Sequence, residues 1–401
     1  MAHEFPDGAK SIEALIATRV EGHALPQSFY VREDVFARDM DLLLGGWTCL
    51  GHESEIPEPS DWITGGFGRE SAIVARGEDG AVRALANVCR HRGSRICVEP
   101  SGRSAGLTCP YHAWTYHLDG RLRAAREMPA GFDPQAHGLK PLPLAIVGGL
   151  IFVSFGEAPP SLETAAPALA AMTEHYGWES ARIAARRAYS VAANWKLALE
   201  NYHECYHCGP AHPEFSVLHT LARPGARRVR GEAESRADLT GGAVVPDHEA
   251  WASAHDGGEV VRVMRSLLAR GARTGSRDGK LMAPPMIPTD GACVFAELGY
   301  LSAFLAYADH GVVYRFIPRG VLETEMEVLW LVRGDAREGV DYDVGELTWL
   351  WDVTSLADKR IIERNQAGVL SRFYEPGPFS LMEPGARQYV DRYLADLAAR
   401  V

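Results

Sequence analysis

From residue 11 to about residue 45 apolar side chains recur every three or four positions, the spacing that lines one face of a helix, and then the texture changes. Up to about residue 157 the chain reads as short apolar runs, among them Ser71 to Ala75, Val82 to Val88 and Leu144 to Phe155, broken by glycine and proline as strands of a small β domain are. Glu157-Ala158-Pro159-Pro160 reads as a linker. Beyond it Leu162 to Tyr176 and Val191 to Cys208 return to helical spacing, whereas Ala292 to Ala308, Gly311 to Ile317 and Met326 to Val332 alternate like strands. Residues 221–290, rich in Arg, Gly and Ala, show little periodicity and are expected to form a loop-and-helix insertion over a site. The pattern predicts an α+β chain in three parts. These are a helical segment, 1–44, packing on the larger domain, a small all-β domain, 45–157, and a larger domain with an antiparallel sheet and surrounding helices, 158–401. No internal repeat is present.

A length of 401 residues agrees with more than one folding unit. Hydrophobic residues at 46% and charged residues at 23% leave disorder aside, and a formal net charge of -11 argues against a nucleic-acid backbone as partner. The opening MAHEFPDGAK carries neither a basic leader nor an apolar core, and no run of ~18 apolar residues is present, so a cytoplasmic location without a membrane span is expected. The seven cysteines, an odd number, point to a reducing compartment, where Cys and His in company are metal ligands more often than disulfide partners. Cys49, Cys97 and Cys293 stand apart from any such cluster and read as small buried apolar residues.

Two stretches carry the chemistry. Cys89-Arg90-His91 and Cys109-Pro110-Tyr111-His112 form Cys-x-His, a spacer of seventeen residues, and Cys-x-x-His. A Rieske 2Fe-2S centre needs this mixture, since two thiolates hold one iron and two neutral imidazoles the other, which raises the reduction potential. Gly93 and Pro110 suit tight loops that aim backbone amides at the sulfurs. A Cys2His2 zinc site has the same ligand types, but its second half is ordinarily His-x-x-x-His on a helix, and here both pairs are flanked by strand patterns. The second stretch runs from Asn194 to Pro213. Trp195, Leu199, Tyr202 and Tyr206 fall at helical spacing and form an apolar stripe, which puts Glu204 and His207 together on another face. Gly209 and Pro210 stop the helix, and His212 can turn back toward His207. Two imidazoles and one carboxylate on one face of an iron leave positions open for dioxygen and substrate. Cys205, His207, Cys208 and His212 as a zinc set is the alternative.

On these residues the chain resembles the Rieske-type non-haem iron oxygenases, the ring-hydroxylating and related terminal oxygenase α subunits, from about residue 40 to the end and least over 221–290. The resemblance implies that Cys89, His91, Cys109 and His112 bind the 2Fe-2S cluster and that His207 and His212 bind a catalytic Fe(II). The third iron ligand it implies is a carboxylate in Trp351 to Asp358, with Asp358 the choice and Asp352 the fallback; Ser355-x-x-Asp358 also fits a helix cap. The stretches Arg364 to Gly368 and Tyr374 to Pro378 resemble the family's C-terminal region. Electrons come, by the same resemblance, from NAD(P)H through a separate flavin or iron-sulfur reductase. A head-to-tail homotrimer is implied, in which Glu204 links His112 of the partner subunit to His207. Asn201 joins Glu204 among the catalytic candidates. Glu204 stands where many ring dioxygenases have Asp, and Glu204-Cys205-Tyr206-His207-Cys208 resembles the branch that oxidises carnitine, glycine betaine and other quaternary amines. A small methylated amine, demethylated or hydroxylated, is therefore the expected substrate, with Tyr202, Phe295, Tyr300, Phe304, Tyr307, Trp349 and Trp351 as candidates for an aromatic cage. Aromatic ring hydroxylation or O-demethylation is the alternative within the class, and a non-catalytic iron-sulfur electron carrier the alternative outside it.

Overall fold

The structure, a computed structural model, describes residues 11–219, 261–269, 271–289 and 291–400. Helices α1 (Ile12–Ala17), α2 (Ser28–Val31) and α3 (Glu33–Gly45) open the chain. Leu15, Phe29, Tyr30, Val35 and Leu42 bury their side chains in one core with Trp195 and Leu199 from the middle of the sequence and Tyr393 and Leu397 from its far end. A buried polar knot fixes this join. Asp39 of α3 accepts hydrogen bonds from Trp195 Nε1 at 3.0 Å and Tyr393 Oη at 2.7 Å and pairs with the fully buried Lys196. A carboxylate with this many donors is expensive to strand, so loss of one member would cost several kcal/mol, of order 3–5.

Eleven short strands, β1 (Thr48–His52), β2 (Asp61–Gly65), β3 (Ala72–Arg76), β4 (Val82–Ala86), β5 (Ser101–Arg103), β6 (Leu107–Thr108), β7 (Thr115–Tyr116), β8 (Leu122–Ala124), β9 (Pro141–Leu142), β10 (Leu144–Val147) and β11 (Leu150–Val153), make three antiparallel sheets ordered β5-β2-β3-β4-β9, β6-β7-β8 and β1-β11-β10. The expected run Leu144 to Phe155 is a tight hairpin, β10 (Leu144–Val147) and β11 (Leu150–Val153), turning through Gly148 and Gly149. Both glycines have positive φ, which a side chain would resist.

The larger part is built on a six-stranded antiparallel sheet ordered β12-β17-β16-β15-β14-β13, made of β12 (Ala181–Val191), β13 (Val261–Leu267), β14 (Ala292–Leu298), β15 (Ser302–Ala306), β16 (Gly311–Gly320) and β17 (Glu323–Arg333). Alternate residues of β17 serve two cores: Met326, Val328, Trp330 and Val332 point one way, Leu329 and Leu331 the other. Burial on both faces explains why the sequence here is nearly unbroken in its apolar character. The second face packs on α4 (Ala165–His175), on Trp47, and on Cys49 and Phe152 of the β1-β11-β10 sheet. The first face looks toward α5 (Trp195–Tyr202), α8 (Val344–Val369) and α9 (Pro384–Ala398), with the short α6 (Cys208–Ala211) and α7 (Pro213–Leu218) between.

Two expectations are corrected. The segment 221–290 supplies an edge strand, β13, paired with β14 from Val261↔Leu298 to Leu267↔Ala292, because Val261, Val263 and Leu267 alternate toward the core; residues 220–260 lie outside the described residues. The helix read over Val191 to Cys208 is shorter: β12 ends at Val191, Asn194 caps α5 by accepting from Lys196 N–H, and α5 stops at Tyr202. Tyr206 is accordingly no member of a buried stripe but is exposed, and Gly209 and Pro210 lie inside α6 rather than ending a helix.

Candidate active site

The four residues of the first motif sit on two loops that meet. The Cys89 loop is closed by Cys89 N–H to Ser94 O and Gly93 N–H to Cys89 O, and the Cys109 loop by Cys109 N–H to Trp114 O and Ala113 N–H to Cys109 O. Gly93 takes φ +78° at the tip of the first. The backbone N–H of His91 lies near the sulfur of Cys89, and those of Tyr111 and His112 lie near the sulfur of Cys109, where they favour the thiolate. The imidazoles of His91 and His112 stand edge to face, 4.7 Å between centroids, with exposed outer edges. Two sulfurs and two imidazoles converging on one point, with amides directed at the sulfurs, fit a mixed-ligand 2Fe-2S cluster. The sequence reading missed two supports. Tyr116 accepts Arg90 N–H at 3.0 Å and directs its own hydroxyl at Cys89 Sγ, 3.2 Å away. Trp114 stacks on His91 at 4.9 Å and 12°. No spacing rule pointed to Tyr116, since its partner lies across a loop.

The second site forms where α5 ends. After Tyr202 the chain leaves the helix and makes a tight turn through Cys205 to Cys208. Glu204 therefore meets His207 through this turn and not across a helix face. Its Oε1 lies 2.5 Å from His207 Nδ1, and its Oε2 accepts the backbone N–H groups of Tyr206 and His207. With Nδ1 so engaged, Nε2 of His207 faces inward. It lies 3.1 Å from His212 Nε2 and 3.3 Å from Asp358 Oδ1, which is 3.1 Å from His212 Nε2. Donor atoms held by a metal at ~2.1 Å stand about 3.0 to 3.4 Å apart, so the triangle has the dimensions of a coordination face.

Asp358 arrives in the middle of α8. The helix begins at Asp343, which accepts Glu346 N–H, so Asp358 is not a capping residue as Ser355-x-x-Asp358 allowed. Leu347, Leu350, Trp351, Thr354, Ser355, Ile362, Gln366 and Val369 form the buried stripe, and Asp358 falls in the same row. Asp352 faces elsewhere, pairing with Arg187 at 2.5 Å and accepting from Tyr189 Oη at 2.6 Å. Burial opposes a charge on the His207 ring, yet Asp358 and Glu204 outweigh it and carry its pKa to about 10. Burial likewise works against ionised Asp358, and the two imidazoles still hold its carboxyl below the usual range. Asp358 Oδ1 and His212 Nδ1 are buried and find no hydrogen-bond partner of good geometry. Negative potential, an under-satisfied oxygen and two inward nitrogens fit a divalent cation. Cys208 Sγ lies 3.9 Å from His207 Nε2, so a thiol stands at the edge of the same centre.

Two cavities adjoin the triangle. One, small at about 50 Å³, is lined by Tyr202, Phe215, Phe295, Tyr314, Trp351 and Thr354 together with His207, His212 and Asp358. Of the aromatic candidates named from sequence, Tyr202, Phe295 and Trp351 reach it. Tyr307 stands behind the wall, its hydroxyl 2.9 Å from His219 Nε2. The others lie elsewhere: Tyr300 packs under Arg392 and bonds Asp396, Phe304 belongs to the opposite face of the sheet, and Trp349 lies under Arg277. Tyr314 and Phe215 were missed; each looked like a core residue of its own element. The second cavity is larger and opens onto Glu204, Asn201 and His207 beside Glu200, Tyr30, Tyr374 and Glu383. Asn201 Nδ2 lies 3.4 Å from the His207 ring. Glu200 accepts from Tyr30 Oη at 2.9 Å, and burial pushes its pKa up to about 8.

Two protein-family models match the chain. Residues 46–143 match the Rieske [2Fe-2S] domain, and residues 178–399 match the ring hydroxylating alpha subunit (catalytic domain). The chain belongs to this family of Rieske oxygenases. It is 38% identical over 394 residues to the glycine betaine monooxygenase oxygenase subunit of Pseudomonas aeruginosa, covering 96% of this chain and 91% of that one. The corresponding subunit of Chromohalobacter salexigens is 36% identical over 406 residues, covering 96% and 88%. In fold it is similar to the quaternary ammonium Rieske monooxygenase CntA in complex with L-carnitine, with a TM-score of 0.70 and 24% identity over 98% of this chain and 99% of that one. Family membership makes it an oxidoreductase of the oxygenase class, an oxygenase component with a 2Fe-2S cluster and a mononuclear iron that draws electrons from a reductase, and the bare electron carrier is set aside. Among the described residues no helix is long and apolar enough to cross a membrane.

Proposed function

We propose that this chain is a monooxygenase component that oxidises a small quaternary or methylated amine at an N-methyl carbon, releasing the methyl group as formaldehyde. The observation that carries this is the near full-length similarity to two glycine betaine monooxygenase oxygenase subunits. The cavity suits such a cation: its described lining holds five aromatic rings and two carboxylates, Glu204 and Asp358, with no Lys or Arg. Within the proposal Cys89, His91, Cys109 and His112 hold the cluster, and His207, His212 and Asp358 hold the iron. Bound there, the cluster supplies single electrons and the iron supplies the dioxygen-activating chemistry.

The protein's own residues supply position. Glu204 fixes the tautomer and tilt of His207, and Asn201 lies against the same ring. Tyr116 and the loop amides stabilise charge on the sulfurs. The walls formed by Phe215, Phe295, Tyr314 and Trp351 would hold a methylammonium group beside His207, His212 and Asp358. The exposed edge of His112 and the open cavity before Glu204 support a cyclic head-to-tail trimer, in which His112 of the partner subunit hydrogen-bonds Glu204. The domain division at 44/45 and 157/158 and a cytoplasmic location belong to the same proposal, the latter resting on the odd count of seven cysteines, two of them in the cluster motif. Substrate-triggered oxygen uptake with a compatible reductase, measured across betaines, carnitine-like amines and aromatic acids, tests the reading. Uptake confined to aromatic acids would replace it with ring hydroxylation or O-demethylation.

A further inference from the structure

Cys205 and Cys208 have no part in the proposed electron path, yet the fold brings them together beside His207. The turn that ends α5 closes with Cys208 N–H to Cys205 O at 3.3 Å, a reversal that keeps the first and fourth Cα atoms within about 7 Å. Disulfides join residues whose Cα atoms are ~4.4 to 6.8 Å apart, so the turn suits the bridge without a change of backbone path. Both thiols line the aromatic cavity, and His207 lies between them in sequence. The other cysteines outside the cluster motif, Cys49, Cys97 and Cys293, are buried.

We propose that Cys205 and Cys208 form a reversible intramolecular disulfide that switches the site off when peroxide accumulates in the cavity. The oxidant is hydrogen peroxide, which an oxygenase releases when dioxygen takes two electrons and two protons without attacking substrate; this supply rests on the proposed function, whereas the thiol pair does not. One thiol attacks a peroxide oxygen, the O–O bond breaks, and hydroxide leaves and takes that thiol's proton to become water. The second thiol then displaces the sulfenic oxygen, which leaves as a second water with the second thiol proton, and the S–S bond forms. Two thiols are oxidised, one peroxide is reduced, and no other reactant is needed. The bridge draws Cys208 Sγ from its place 3.9 Å from His207 Nε2 and stiffens the turn through which Glu204 holds that ring.

The test uses the full-length protein with both metal centres loaded. Protein reduced under argon is treated with a small excess of hydrogen peroxide, quenched in acid, alkylated and digested with trypsin without reductant. Cleavage after Lys196 and Arg227, with Arg223 protected by Pro224, puts Cys205 and Cys208 on one peptide with no other cysteine. The expected result is that this peptide becomes lighter by two hydrogens and unreactive to alkylation, that activity falls in step, and that dithiothreitol restores both. Cys205→Ser should lose the mass change and the dithiothreitol-reversible part of the inactivation. Both thiols still alkylated after peroxide has inactivated the enzyme, or sulfinic and sulfonic acids in place of the bridge, would overturn the proposal. Because peroxide is added directly, this result is read from the wild-type peptide and does not depend on which substrate is oxidised.

Discussion

Replacing Asp358 by Ala removes the one oxygen of the triangle and leaves Nε2 of His207 and His212, 3.1 Å apart, as the remaining donors of the proposed set. Outer-shell changes at metal centres already cost ~10- to 100-fold in affinity, so loss of a direct carboxylate ligand should exceed ~100-fold, about 3 kcal/mol. The same variant should not unfold the protein: the lost carboxylate is a buried charge whose partners are the two imidazoles, and its removal relieves a desolvation cost. Asp352→Ala is the matched control. Its pair with Arg187 is partly exposed, at 26% and 40%, and with the Tyr189 bond contributes no more than about 2 kcal/mol to stability and nothing to iron binding. The assay is iron content per cluster after dialysis against a mild chelator, with the visible Rieske spectrum as internal reference. Asp358→Ala should keep the spectrum and lose the additional iron, and Asp352→Ala should keep both. The reverse outcome would show that the carboxylate was chosen wrongly.

Cys109→Ser should abolish the Rieske visible and paramagnetic signals while leaving mononuclear iron in place; an unchanged spectrum would remove Cys109 from the ligand set. Glu204→Gln is expected to bind both metals but pass electrons between the centres at least ~10-fold more slowly, read as cluster reoxidation in the presence of substrate and dioxygen, and a parent-like rate would end its role as a link. Glu200 holds its proton up to about pH 8 in the folded state, whereas an ordinary Glu loses it near 4.3. Between those values the native state binds more protons than the unfolded state, so stability falls as pH rises and levels off above 8, a loss of a few kcal/mol at most. Glu200→Gln should flatten that fall in urea melts at pH 5, 6.5 and 8.5, and parallel curves for the two proteins would contradict the burial argument.

The cluster loops were legible because their chemistry is local: two Cys/His pairs with strand patterns on either side leave little freedom in what they bind. Glu204, His207 and His212 were legible as a group for a partly mistaken reason. Helical periodicity was extended past Tyr202, but Glu204 caps a turn, and the carboxylate meets the imidazole just as well there. Asp358 carried a signal of its own, an acid in the buried row of a 26-residue helix, where an unpaired charge would be costly. Tyr314, Phe215 and Tyr116 carried none, because each acts across tertiary contacts that a single strand or helix does not encode. The same holds for the rejected cage members: Phe304 alternates onto the far face of the sheet, and Tyr300 is held by Arg392 and Asp396. Strand β13 escaped notice because it is an edge strand whose short apolar alternation lies in an Arg-rich stretch.

Demethylation of a quaternary amine consumes one dioxygen and two electrons, and returns one formaldehyde, one demethylated amine and one water. The most direct measurement is therefore the ratio of formaldehyde released to dioxygen consumed, with glycine betaine carrying isotopically labelled methyl groups and a compatible reductase. The account predicts a ratio near one, labelled formaldehyde, and loss of both signals in His207→Ala despite an intact Rieske spectrum. Oxygen uptake without labelled formaldehyde from glycine betaine or any other methylated amine, alongside hydroxylated product from an uncharged aromatic compound, would contradict it.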